Sequence, residues 1–269
     1  MTEETLAPAG GPASQAGRDG GLAGSCARLL TGLSERVGPV LDRVTGLAAA
    51  AERIADAARV AGRTLRRDDV AALRPLAESA LRAHPDLAAG VGVVLAPGTL
   101  SDASRAIEWW WADQQGQISP LHVDLDPESA EFYDYTTTEW YREPERTGRP
   151  FVAGPYVDFI CTRQYTFTLA APVRCAGRFI GVAGADILAT QVERLVLPGL
   201  AALGRTAVLA SGHGRVIASN SPRILPGSPL DRDPLAASLV ALAGPGDGPG
   251  RGTASGLLPW TVLTRRVHT

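Results

Sequence analysis

Apolar residues recur at three- and four-residue steps through the first quarter of the chain. Leu29, Leu33, Val37, Leu41, Val44, Leu47, Ala51, Ile54 and Ala58 line one side of a helix that the spacing predicts over 26–63. Gly38-Pro39 interrupts the run, a pair expected to kink or split it. A second helix fits Asp68–His84, with an acidic start and Pro85 just beyond its end. The period then shortens. Gly90–Ala96 is a short apolar run closed by Pro97-Gly98, which predicts a strand and a turn. Leu121–Val123 reads as another short strand, and Pro127–Glu143 as a short helix rich in aromatic residues.

Three strands are predicted in close succession, at 151–159, 164–173 and 178–187. The last two are joined by a tight hairpin ending on Gly177. A helix over 191–203 follows, with Pro198 inside it. Strands at 206–210 and 215–219 flank Ser211-Gly212-His213-Gly214, a helix is expected over 233–242, and a last strand over 257–267. The order predicts an α+β fold: a long N-terminal helical segment, an antiparallel sheet and a reduced second sheet. Three units are expected: a disordered Gly/Ala/Pro/Ser-rich tail at 1–24, a module with its N-terminal helices at 25–200, and a truncated second module at 201–269.

Composition narrows the function classes. The 269 residues carry a net charge of −2, and every basic side chain is Arg, so no global basic field recommends nucleic acid as a partner. Three cysteines at 26, 161 and 175 have no metal-ligand spacing, which argues against zinc. Cys161 and Cys175, on neighbouring predicted strands, are read as buried free thiols in preference to a disulfide. The first residues lack the basic and apolar regions of a secretion signal, and no stretch has the length of a membrane span, so a cytoplasmic protein is expected.

Aromatic and acidic side chains concentrate between Tyr133 and Asp186. Tyr133, Tyr135, Trp140 and Tyr141 fall on the predicted aromatic helix. Tyr156 and Asp158 stand two apart on a strand and so face one side of the sheet, and Asp186 closes the third strand. A carboxylate on the concave face of a sheet must be paired or solvated, because burying it alone is costly. Two of them under aromatic rings suit an ammonium group. The acids supply charge and hydrogen bonds, and each ring face adds cation–π attraction of roughly 0.5–2 kcal/mol. Within Trp109-Trp110-Trp111, consecutive side chains point in different directions, and Trp110 is weighed as a pocket wall against core packing.

In this order the residues resemble the ligand-binding module of Cache (PAS-like) sensor domains. The marks are Tyr133, Trp140-Tyr141, Gly154-Pro155-Tyr156-Val157-Asp158 and Phe179-Ile180-Gly181-Val182-Ala183-Gly184-Ala185-Asp186, within a resemblance covering about two thirds of the chain. The resemblance implies a pocket in which Asp158 and Asp186 hold the ligand's amine, with Tyr156 and Tyr133 adding hydroxyl contacts and Trp140 and Tyr141 covering it. Amino-acid-binding members carry an arginine two residues before the tryptophan, where it grips the ligand carboxylate. Thr138 stands there in this chain, and a hydroxyl does not replace a guanidinium fork. The implied ligand is therefore an amine without a carboxylate, unless Arg142 or Arg163 supplies the grip. The typical members' membrane anchor is not expected here either, since no stretch of these residues has the length of a span.

The favoured function is a small-molecule sensor that binds an amine, quaternary ammonium or amino-acid-like metabolite without chemistry or cofactor. The alternative is a regulatory protein that keeps the fold without a ligand and uses the Leu29–Ala58 stripe for a homodimer or for a protein partner in trans. An enzyme on a small amine would need a nucleophile, metal or cofactor site. His213 has no partner serine or cysteine at a recognisable spacing, and neither GxxxxGK[ST] nor a helix-opening GxGxxG is present. His213 reads as a solvated turn residue, and Arg63, Arg66 and Arg67 as a solvated helix face.

Overall fold

A computed structural model describes residues 12–113, 115–160, 165–232, 238–244 and 258–265. Helix α1 runs unbroken over Pro12–Val60. It includes much of the stretch expected to be a disordered tail, of which residues 1–11 lie outside the described part. The predicted stripe is its buried side: Leu33, Val37, Leu41, Val44, Leu47, Ala51 and Ala58 are buried, joined by Val40, Ala48 and Ala55. Gly38-Pro39 does not split the helix. Pro39 sits on the exposed side, where water can satisfy the carbonyl left without its amide partner. The helix expected over 68–84 is two pieces, α2 (Arg67–Ala71) and α3 (Arg74–Ala83), with Pro75 in the first turn of the second.

A six-stranded antiparallel sheet follows, in the order β3-β2-β1-β6-β5-β4. Its strands are β1 (Ala88–Leu95), β2 (Ala106–Ala112), β3 (Ile118–Pro120), β4 (Phe151–Val157), β5 (Tyr165–Cys175) and β6 (Arg178–Leu188). β5 and β6 meet through Ala176-Gly177, both at positive φ, a two-residue hairpin that matches the twist of the strands. The edge strand β3 lies just before the predicted 121–123, because the ladder opposite Trp110–Ala112 takes Ile118–Pro120, and Leu121 N donates to Trp109 O at its end.

Period-two alternation divides this sheet. Val91, Val93, Leu95, Phe167, Leu169, Ala171, Ala183, Ala185 and Ile187 face the main core against α1 and α3. Val94, Trp109, Ala153, Ala170 and Val182 face the opposite side and form a second apolar cluster with the aromatic excursion.

That excursion is not the single helix expected over 127–143. Asp124 and Asp126 side chains accept from backbone amides two residues on, as does Ser129, which favours turns over helix. Asp134 accepts from Thr136 N and starts a 3-10 turn at Tyr135–Thr137, and α4 covers only Glu139–Thr147, ending on Gly148 in the left-handed conformation.

Helix α5 (Ala189–Ala202) leads to a four-stranded sheet in the order β8-β7-β10-β9, made of β7 (Ala207–Ser211), β8 (Val216–Ser219), β9 (Leu239–Ala243) and β10 (Trp260–Arg265). The helix expected over 233–242 is contradicted at its end, where Leu239–Ala243 pairs with β10; residues 233–237 lie outside the described part. An apolar run this short suits either state, and the open edge of β10 decides it. The two sheets share one core. Leu209, Ile217, Trp260 and Val262 join the α1-side cluster, with the Trp260 ring 5.0 Å from that of Phe167.

Candidate ligand-binding site

On the α4 side of the large sheet, Asp186, Thr168, Val94 and Trp109 form a floor from four adjoining strands, and Tyr156, Asp158 and Ile160 close one side. Tyr133, Trp140, Ile107 and Leu121 complete a small chamber of about 40 Å³. It continues into a larger vestibule of about 430 Å³, lined by Ala153, Val157, Phe159 and Ile160, with Thr138 and Glu139 from the start of α4. Tyr133, Trp140, Tyr156, Asp158 and Ile160 border both spaces.

Local geometry places these groups. Strand β4 bulges between Ala153 and Tyr156, where Ala153 opposes Thr168 and Tyr156 opposes Thr166. The extra residue resets the alternation, so that Ala153 and Tyr156, three apart, both reach the cavity. Asp158 follows on the same side and accepts from Ile160 N, which turns the chain at the strand end. Trp109 needs glycine beneath it. A Cβ on Gly92 would lie 2.9 Å from its ring and one on Gly184 3.1 Å, so Gly92 and Gly184 open a slot for the indole. A Cβ on Gly90 would fall 2.6 Å from Trp109 Nε1 and 3.2 Å from Asp186 Oδ2, so those two polar atoms converge over a third glycine. Arg105 ties the aromatic excursion to the sheet through Asp134 at 3.1 Å and lies over the Phe132 and Tyr135 rings.

A hydrogen-bonded relay runs along the floor. Tyr156 Oη bonds to Thr168 Oγ1, and Thr168 Oγ1 donates to Asp186 Oδ1 at 2.7 Å. Because the threonine proton goes to the acid, the tyrosine is the donor of the first bond. Burial pushes the Asp186 carboxyl up to about 7, a rise that the Thr168 bond opposes and the nearby Asp158 charge reinforces. Burial likewise raises the Tyr156 phenol well above its ordinary value, assisted by Asp186.

The structure brings Tyr133, Trp140, Tyr156, Asp158 and Asp186 to one cavity and places Thr138 at its outer part. Three other candidates lie elsewhere. Tyr135 is fully buried and its hydroxyl donates to Leu95 O at 2.7 Å, so it props the excursion against β1. Tyr141 is buried against Tyr135, Trp140 and Phe179 on the α4 side facing the sheet, and burial raises its phenol pKa. Trp110 points into the main core, because it stands one residue from Trp109 on a strand. The wall that the sequence reading missed is therefore Trp109, and Gly90, Gly92 and Gly184 on the neighbouring strands carried the signal.

Arg142 is exposed and borders neither space, and Arg163 lies outside the described residues. Cys175 is a free thiol that bonds to Asp56 Oδ1 at 3.3 Å, while Cys161 falls outside the described part. His213, half exposed, stands 3.6 Å from Glu139. Of the arginines read as a solvated face, Arg63 holds Asp69 through a two-bond fork and Arg66 stands 3.5 Å from Asp102.

Residues 74–194, which contain all nine candidate ligand-binding residues from Trp110 to Asp186, match the family described as methyl-accepting chemotaxis protein-like, first PDC sensor domain. Over this segment the chain is similar to Cache-type (PDC) sensor domains. The chain is 29% identical over 136 aligned residues to the methyl-accepting chemotaxis protein TlpQ of Pseudomonas aeruginosa, an alignment spanning 44% of this chain and 19% of that receptor.

Solved sensor domains share the fold along nearly the whole chain. A protein described as methyl-accepting chemotaxis protein X superposes with a TM-score of 0.65 at 17% identity, covering 94% of this chain and 99% of that one. The ligand-binding domain of the Pseudomonas aeruginosa amino-acid chemoreceptor PctC, solved with GABA, gives 0.56 at 19% identity over 92% and 99% of the two chains. That of the Campylobacter jejuni chemoreceptor Tlp3, solved with L-norvaline, gives 0.56 at 15% identity over 95% and 94%. Other neighbours are described as extracellular domains of putative histidine kinases, so the cytoplasmic location expected from the sequence finds no support among them. Among the described residues, no helix is long and apolar enough to cross a membrane.

Proposed function

We propose that this sensor domain binds a small organic cation reversibly, with its ammonium group between Asp158 and Asp186. The observation that carries the reading is the convergence of both acids on one small chamber walled by Trp109, Tyr133, Trp140 and Tyr156. A buried carboxylate whose pKa is driven up by desolvation gains most from a cationic guest, which supplies the charge that water no longer screens. The rings add cation–π attraction.

The ligand lacks a carboxylate. Thr138, at the position where the resembling amino-acid binders carry arginine, spends its hydroxyl on Tyr135 O at 2.7 Å. No described residue lining either space is basic. Occupancy acts through Trp140 and Tyr133 on the excursion and through Asp186 on β6, whose other side packs on α1. That helix is the natural output element, toward a second copy or a protein partner in trans.

Calorimetry and thermal-shift measurements with amines, polyamines, quaternary ammonium compounds and amino acids test the reading. Expected is at least one amine that binds tighter than millimolar and loses tenfold or more with Asp158→Asn or Asp186→Asn. Absence of any such compound, or binding indifferent to both substitutions, contradicts it.

A further inference from the structure

The small sheet is two-sided like the large one, and its outer side carries the opposite charge. Trp260, Val262 and Thr264 of β10 are buried toward α1, so Leu263 and Arg265 face the other way. On that outer side Val208, Val216 and Ile224 form a separate apolar cluster, with Leu239 and Leu263 packed against it. At the end of the sheet away from the β7–β8 turn, Arg223, Arg265, Thr206, Ser221 and Ser238 line a recess. No carboxylate lines it, and neither arginine has an acid as ion-pair partner among the described residues. Local bonds hold its walls. Asn220 Oδ1 accepts from Ala207 N, and its amide donates to Leu200 O and Arg205 O, each at 2.8 Å, which pins the start of β7 to the end of β8. Arg265 N donates to Thr206 O and Ser221 N to Ser219 Oγ, both at 3.0 Å. Ser221 Oγ accepts from Arg223 N at 3.4 Å, which leaves its own proton for another acceptor. Two guanidinium groups and these hydroxyls, with no competing acid, are the complement of an oxyanion.

We propose that this recess is a second ligand site, which takes a small tetrahedral oxyanion: phosphate, or the phosphate group of a soluble metabolite. Each arginine presents a planar fork of donors that suits a pair of oxygens on one anion. Two forks ask for more oxygens and more charge than a carboxylate has, which favours the tetrahedral dianion. An anion between them also relieves the repulsion of two like charges that share one recess. The site is independent of the cation site, because it lies on the other sheet and shares no lining residue with the chamber or the vestibule.

Titration calorimetry of the whole chain at pH 7.5 with inorganic phosphate and with acetate, against sodium chloride at equal ionic strength, tests the site. Expected is phosphate binding in the millimolar range or tighter, weaker binding of acetate, and a loss of about tenfold or more in Arg223→Gln and in Arg265→Gln. Arg178→Gln, at an exposed arginine on β6, should lose nothing. Arg223 and Arg265 are themselves exposed, so both variants should keep the unfolding midpoint measured without phosphate. Heat no greater than that of sodium chloride, acetate bound as tightly as phosphate, or an affinity indifferent to both arginines overturns the proposal. An equal loss in Arg178→Gln does so too, as does retention on phosphatidylglycerol vesicles without binding of free phosphate. None of these outcomes bears on the cation site, whose own test is amine binding in the Asp158 and Asp186 variants.

Discussion

Asp186 is a carboxylate on a central strand, buried at the cavity floor, with the Thr168 hydroxyl as its hydrogen-bond donor. Its carboxyl is raised from 3.8 to about 7, so between those values the folded chain holds a proton that the unfolded chain has released. Stability of the ligand-free domain therefore falls as pH rises from about 4 to about 7 and then levels. Asp186→Asn removes that slope, which urea unfolding at pH 5 and pH 8 measures directly. Cation binding runs the other way, because it requires the ionised acid. Affinity for an amine should climb up to tenfold per pH unit below about 7 and become flat above it, with proton uptake by the buffer in the lower range. A pH-independent affinity from 5 to 8 would remove Asp186 from the contact. The acid and its partners at 156 and 158 were legible in the sequence, because strand alternation and the order of residues are local properties. The indole was not. Trp109 and Trp110 differ only in which side of β2 they occupy, and that parity depends on the register of β2 against β1, the pairing Gly92↔Trp109, which the residues around the tryptophans do not encode.

Strands and helices set the limits of that legibility. Long repeats with one period were read correctly: the α1 stripe and the β5–β6 hairpin are where the sequence puts them. Boundaries failed where side chains compete with the backbone, as Asp124, Asp126 and Asp134 do ahead of α4. Helix also lost to strand at β9, where a neighbouring edge supplied the hydrogen bonds. The element that shapes the site most closely is the β1–β2 pair. A Cβ at Gly92 would collide with the Glu108 carbonyl oxygen and stand 2.6 Å from Trp109 Cα, both backbone atoms without freedom to withdraw. Gly92→Ala should therefore destabilise the fold by about 1–3 kcal/mol and tilt the indole, which denaturant unfolding and tryptophan fluorescence would report together. An unchanged unfolding midpoint would show that the strands can separate without loss.

Across the whole molecule, the two sheets share one apolar core with α1 running along both, and Trp260 of β10 reaches Phe167 of β5. The smaller sheet is thus part of the support for the floor that carries Asp186, and it also sends His213 to Glu139 at the rim of the vestibule. Trp260→Ala opens a cavity in that shared core and should cost about 3–5 kcal/mol while keeping a single unfolding transition; two separate transitions would show that the sheets fold independently. A crystal structure of the protein with a bound alkylamine would locate the positive charge. The nitrogen is expected within about 2.7–3.2 Å of carboxylate oxygens of both Asp158 and Asp186, beside the Trp109 and Trp140 rings. An amine bound elsewhere, with that chamber closed by side chains, would contradict this placement.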